Sequence, residues 1–65
     1  MKLESREIID RLLEEYKDDP EALEEIERAI IDIEYVERKE VEGGYDGQPS
    51  IGHAMMLEDF LHTWY

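Results

Sequence analysis

The sequence contains no cysteine and only two prolines, one phenylalanine and one tryptophan among its 65 residues. The absence of cysteine excludes a disulfide framework and a zinc site built on thiolates. A chain of this length buries only about 60% of its unfolded surface, so its stability has to come from helix packing or self-association. We therefore predict one small domain over residues 1–65, either as a monomer or as a homodimer.

Long hydrophobic runs are also missing from the sequence. No segment approaches the roughly 20 apolar residues that a membrane span needs. The first ten residues, MKLESREIID, lack the apolar stretch of a secretory signal. Together with the lack of cysteine, these absences predict a cytoplasmic protein that does not contact a membrane.

Positive charge is scarce. Seven lysines and arginines stand against nineteen acidic residues, which leaves a formal net charge of -12. Proteins that bind nucleic acids or anionic membranes directly need the opposite sign, so we predict neither partner. The electrostatic complement of this chain is a basic surface on another protein. The alternative is that the acidity serves solubility alone.

Groups that could carry catalysis are few. Serine occurs only at Ser5 and Ser50, where helix caps are expected, and no nucleophile elbow surrounds either residue. Carboxylates are abundant, but a catalytic pair needs a water-poor cleft that exposed helical carboxylates do not provide. We therefore predict a protein that is not an enzyme and that carries no cofactor.

Three residues near the C-terminus are candidates for a metal site: His53, Glu58 and His62. Glu58 and His62 are four residues apart and share one helical face, a spacing that suits two metal ligands. The same spacing also suits an ordinary helix-stabilising pair. The Glu-x-x-His spacing of carboxylate-bridged metal bundles is absent, so we predict the helix-stabilising pair and no bound metal.

Apolar residues recur at steps of three and four along most of the chain, which predicts three helices at about 4–17, 20–40 and 51–64. Asp19 and Pro20 mark the start of the second helix, and the short connection before it predicts an antiparallel hairpin. A glycine-rich loop is predicted for 42–50. The predicted fold is therefore all-α: a helical hairpin, a glycine-rich loop and a C-terminal helix that closes the core.

The apolar stripes of the three segments predict the core. In the first helix the stripe comprises Ile8, Ile9, Leu12, Leu13 and Tyr16. In the second it comprises Ala22, Leu23, Ile26, Ala29, Ile30, Ile33 and Val36. In the third it comprises Ala54, Met56, Leu57, Phe60, Leu61 and Trp64.

Four carboxylates line the opposite face of the first predicted helix, and we call them the carboxylate ladder: Glu7, Asp10, Glu14 and Asp18. Residues three or four apart on a helix lie about 5–6 Å from one another, which is close to the spacing of phosphates along a nucleic-acid strand. The ladder therefore predicts contact with a basic, nucleic-acid-binding groove of a partner protein. A solvated face is the alternative interpretation.

Three apolar residues fall outside the predicted stripes. Ile31 and Tyr35 lie side by side on the polar face of the second helix, and Met55 lies on the polar face of the third. Such residues favour a contact, which for Ile31 and Tyr35 is either the third helix or another chain.

The function predicted from the sequence is a small acidic adaptor or inhibitor that docks on a basic surface of a partner protein. In this hypothesis the carboxylate ladder supplies the electrostatic field, while Ile31, Tyr35 and Met55 are apolar anchors. The alternative is a structural homodimer in which two helical hairpins form a four-helix core.

Overall fold

The computed structural model describes residues 1–44, 47 and 49–65. These residues form three α-helices, α1 (Leu3–Glu15), α2 (Pro20–Glu42) and α3 (Ser50–Trp64), and contain no strand. The predicted all-α, three-helix fold is confirmed. The start of α2 and the end of α3 are as predicted, and the other four helix ends differ from the prediction by one or two residues. Within the predicted loop at 42–50, Tyr45, Asp46 and Gln48 lie outside the described residues.

The predicted boundary between α1 and α2 is confirmed. The carboxylate of Asp19 accepts hydrogen bonds from the backbone N–H groups of Glu21 and Ala22, both at 3.2 Å. Pro20 occupies the first helical position, where its missing N–H leaves no hydrogen bond unmade. α1 ends two residues earlier than predicted, at Glu15, so Asp18 lies in the turn rather than on the helix.

The end of α2 shows why a glycine stands there. Gly43 has φ +77°, in the left-handed region that side chains disfavour. In this conformation its N–H donates to the carbonyl of Glu40, and the N–H of Gly44 donates to the carbonyl of Lys39, both at 3.1 Å. These bonds satisfy the last carbonyls of the helix.

Contacts between the helices fix their directions. The start of α1 lies beside the end of α2, where the Lys2 ammonium binds the Glu40 carboxylate. The antiparallel hairpin is therefore present. Successive ion pairs join Arg11 to Glu58 and Glu15 to His62. Because both partners advance by four residues, α3 runs parallel to α1.

The core lies between the three helices, and it contains members of all three predicted stripes. Its buried members are Ile9, Leu12, Tyr16, Ala22, Ile26, Ile33, Ala54, Leu57 and Leu61. α3 thus closes the hairpin, as the sequence predicts.

The core prediction fails for part of α3. Met56 is 59% exposed, Phe60 41% and Trp64 71%. At 100° per residue, the apolar residues of α3 spread over an arc wider than the strip that α1 and α2 cover. Ala54, Leu57 and Leu61 occupy the covered strip, and the rest of the arc faces solvent.

Both serines have a different role from the one predicted. Ser5 lies inside α1, whose N-cap is Lys2, and Ser50 is the first residue of α3, whose N-cap is Pro49. Each continues the buried stripe of its helix, four residues before Ile9 and Ala54 respectively. Neither hydroxyl has a hydrogen-bond partner within 1–44, 47 and 49–65. They are small residues at helix contacts rather than caps.

The replacement of Ser5 by alanine is therefore expected to stabilise the protein by about 1 kcal/mol. It removes a buried hydroxyl without a described partner and raises helix propensity. Loss of a true cap has the opposite sign, so Asp19→Ala should destabilise by about 1 kcal/mol. Urea unfolding followed by circular dichroism measures both changes. A stability loss in Ser5→Ala comparable to that in Asp19→Ala would restore the capping role.

Candidate protein-binding surfaces

Two carboxylates in the last turns of α2 hold the other two helices in place. Oε1 of Glu37 accepts a hydrogen bond of 3.0 Å from the backbone N–H of Lys2, at the start of α1. Oε1 of Glu40 accepts one of 2.7 Å from the backbone N–H of Ser50, the first residue of α3. Negative charge suits the positive end of a helix dipole, so each carboxylate anchors the N-terminus of a neighbouring helix.

Glu40 also binds Lys2, whose Nζ lies 2.8 Å from Oε2 of Glu40. The hydrogen bond from Lys2, followed by that from the Ser50 N–H, lowers the pKa of the Glu40 carboxyl below its ordinary value of 4.5. The same hydrogen bond raises the pKa of the Lys2 ammonium above 10.5. The charged forms of both groups are thus favoured by folding.

This network predicts an acid-dependent loss of stability. Because the pKa of Glu40 is lower in the folded than in the unfolded state, its contribution is complete above pH 4.5 and is lost as the pH falls below that value. Glu40→Gln should lower the melting temperature at pH 7 and flatten its decline below pH 4.5 relative to the native chain. Glu34→Gln, whose carboxylate has no ion-pair partner among the described residues, is the matched control. Equal pH profiles for the two variants would contradict the role of Glu40.

The carboxylate ladder is exposed but is not a continuous row of free charges. Asp10 lies 3.5 Å from the Arg6 guanidinium, and Glu14 lies 3.3 Å from the Lys17 ammonium. Glu7 has no ion-pair partner in the described part of the chain. Asp18 lies past the end of the helix, where the spacing of the ladder no longer applies. The ladder is therefore shorter and more neutralised than the sequence predicts.

Ile31 and Tyr35 lie together on the outer face of α2, and they are 69% and 58% exposed. α3 packs instead against another side of α2, which includes Ala29. The Lys39 ammonium lies 5.6 Å from the centre of the Tyr35 ring and covers it only in part. The interpretation that the third helix covers these two residues is therefore wrong. We use "outer face of α2" for Ile31, Tyr35 and the charged residues around them.

Met55 is 57% exposed and lies on α3. Met55 does not lie on the outer face of α2. Neither Met55 nor the outer face of α2 forms one continuous patch with the carboxylate ladder. The buried stripes of all three helices point to a common core, so residues opposite those stripes point away from one another. The predicted contact residues thus occupy three separate faces of the bundle.

The metal candidates do not converge. The Glu58 carboxylate binds the Arg11 guanidinium of α1, and Nε2 of His62 lies 3.1 Å from Oε2 of Glu15. His53 lies on another side of α3, in the groove beside α2. Within residues 1–44, 47 and 49–65, no three metal-ligating side chains form a cluster. The predicted pair between Glu58 and His62 is also absent, because each residue contacts α1 instead.

A groove between α2 and α3 was not predicted from the sequence. Its volume is about 340 Å³, and we call it the α2–α3 groove. Its lining residues are Glu25, Arg28, Ala29, Asp32, His53, Met56, Leu57 and Phe60. The signal that could have revealed it is the width of the apolar arc on α3, since a helix at the edge of a small bundle cannot bury so many directions at once.

None of the three described helices combines the length and the apolar character needed to cross a lipid bilayer. No protein-family model, curated protein or solved structure matches the chain.

Proposed function

We propose that this chain is an acidic protein-binding module, an adaptor or inhibitor, that docks on a basic partner protein through the outer face of α2. The observation that carries the proposal is the exposure of Ile31 and Tyr35 side by side on a face that the chain's own helices leave open. An aromatic and a β-branched side chain lose little conformational freedom on binding because they have few accessible rotamers. Tyrosine is also enriched among residues that dominate binding energy.

The net charge of -12 supplies the second part of the proposal. Charge of one sign attracts an oppositely charged partner over a Debye length and raises the association rate. The carboxylate ladder lies on a different helix from Ile31 and Tyr35, so it acts at a distance and does not share their contact. Pairing of Asp10 with Arg6 and of Glu14 with Lys17 gives less support to a strict imitation of a phosphate strand.

The experiment is a comparison of proteins captured from cells of the source organism by the native chain and by two variants. The first variant, Ile31→Ser with Tyr35→Ser, removes the outer face of α2. The matched control, Leu3→Ser with Val41→Ser, removes two apolar side chains that are even more exposed and lie elsewhere on the bundle.

We expect a basic protein that binds the native chain and the control variant and is lost from the first variant. Loss of such contacts typically weakens binding by about 10-fold or more. Binding should also be weaker at 300 mM than at 50 mM salt, because salt screens the electrostatic attraction that raises the association rate. Capture that is identical for all three chains, or insensitive to salt, would contradict the proposal.

One observation favours a homodimer as a second candidate. The outer face of α2 carries Arg28, Arg38 and Lys39 among Glu24, Glu27, Glu34 and Glu42, so it is less acidic than the chain as a whole. Two copies could meet there without the full repulsion between two acidic chains. The hairpin core is closed by α3, so a four-helix core made from two hairpins would require α3 to leave. Sedimentation in 0.5 M salt tests the dimer, and a monomer under those conditions would exclude it.

A further inference from the structure

We infer that the α2–α3 groove binds a short basic amphipathic helix of another protein, which would place apolar side chains between Met56 and Phe60 and cations on Glu25 and Asp32. This site lies on a different side of α2 from Ile31 and Tyr35. The two sites adjoin at Arg28, which lines the groove and also lies on the outer face of α2. They use different apolar residues, so the variants described below separate one contact from the other.

The shape of the groove fits a helix of about two turns. Its lining on α2 extends from Glu25 to Asp32, and its lining on α3 extends from His53 to Phe60. Seven residues of helix rise about 10 Å. That is the distance between the first and last anchors of an amphipathic helix whose apolar residues recur at i, i+3 or i+4, and i+7.

Four of the eight residues that line the groove are apolar. They are Ala29, the buried Leu57, and the exposed Met56 and Phe60. Methionine adapts to side chains of different shape, because it is unbranched and has three rotatable bonds. A groove volume of about 340 Å³ is large enough for a few apolar side chains of a partner.

The rim of the groove is acidic. Glu25 and Asp32 line it together with one cation, Arg28, whose guanidinium also lies 3.3 Å from the Glu24 carboxylate. Tyr65 extends this side of the molecule, with its ring centre 6.3 Å from that of Phe60. Its pKa is raised, first by burial and then by Glu21 and Glu25. The same carboxylates would attract the cations of a basic helix.

Charge also decides against a second copy of this chain as the occupant. A copy carries the same net charge of -12, so the carboxylates Glu25 and Asp32 of the groove would repel it. A helix rich in lysine or arginine, with an apolar stripe two turns long, supplies both the missing charge and the missing apolar contact.

The test uses fluorescein-labelled 15-residue peptides and fluorescence anisotropy in 0.1 M salt. The first peptide has leucines at i, i+4 and i+7 of a lysine-rich helix. The second has the same composition with the leucine spacing scrambled, and the third has glutamate in place of lysine. We expect the first to bind the native chain about tenfold more tightly than the second, and the third not to bind measurably.

Three variants locate the site. Met56→Ser with Phe60→Ser should weaken binding about tenfold, and Glu25→Gln with Asp32→Asn should weaken it and reduce its salt dependence. Ile31→Ser with Tyr35→Ser is the matched control and should bind like the native chain. A measurement on the native chain alone locates the site as well: the amide chemical shifts of His53, Met56 and Phe60 should change when the first peptide is added.

Several outcomes would overturn the inference. Equal binding of the ordered and scrambled peptides would show that the peptide is held by charge alone and does not insert its leucines into the groove. Loss of binding in the Ile31 and Tyr35 variant alone would place the peptide on the outer face of α2, which would leave the proposed function standing. A native dimer that becomes a monomer in the Met56 and Phe60 variant would identify the occupant as a second copy.

Discussion

Replacement of Leu61 by alanine is expected to leave most of the protein unfolded at 25 °C. The Leu61 side chain is fully buried among residues of all three helices. Truncation of such a side chain costs about 2–5 kcal/mol, because it removes apolar burial and leaves a cavity. A core of this size rarely supplies more than about 3–5 kcal/mol in total. The loss is therefore of the same order as the whole stability.

The matched control is the adjacent residue. Phe60 is larger than Leu61, but it is partly exposed at the edge of the α2–α3 groove. Phe60→Ala should cost only about 1 kcal/mol and leave the helical circular dichroism unchanged in dilute buffer. Urea titration of the native chain and both variants measures the difference. If the two substitutions have equal effects, or if Phe60→Ala is the more damaging, α3 faces the core in a different rotation.

Addition of simple salt is expected to stabilise the protein. At 0.01 M the Debye length is about 30 Å, which exceeds the 19 × 16 Å cross-section of the bundle. Carboxylates on all three helices then repel one another in the folded chain more than in the expanded unfolded chain. At 0.5 M the Debye length falls to about 4 Å and this repulsion is screened. We expect a gain on the order of 2–4 kcal/mol and a higher melting temperature.

Ion pairs act in the opposite direction, but exposed pairs contribute only about 0–1 kcal/mol each. Potassium chloride is the suitable salt, because sulfate and phosphate strengthen apolar burial as well. The control is a variant in which Glu4, Glu7, Glu27 and Glu34 become glutamine, which changes the net charge from -12 to -8. Its melting temperature should be higher in dilute buffer and respond less to salt. A melting temperature that falls with potassium chloride would show that the ion pairs dominate.

The features that follow from neighbouring residues could be predicted closely. Asp19 and Pro20 begin α2 because the carboxylate reaches the first free N–H groups and proline fits the first helical position. Gly43 ends α2 because its φ of +77° suits a residue without a side chain. These arrangements depend on contacts within a few residues, so the sequence contains all that they require.

The surfaces were less predictable. The sequence shows Ile31 and Tyr35 outside the apolar stripe of α2, but only the fold decides which side of α2 the third helix packs against. Ser5 and Ser50 were predicted as caps because serine favours that position, yet burial in the helix stripes placed them elsewhere. The α2–α3 groove went unpredicted because Met56 and Phe60 belong to the same apolar arc as Leu57.

Three amphipathic helices, the start of α2 and a strongly negative exterior follow from the sequence alone, because helix periodicity, the Asp19 cap and charge are local or additive properties. Only the packed structure shows which part of each apolar arc is buried, because the three helices pack around a core too small to cover all of their apolar residues. It also brought Lys2, Glu40 and Ser50 together. Those contacts join residues distant in the chain and exist only once the helices have packed.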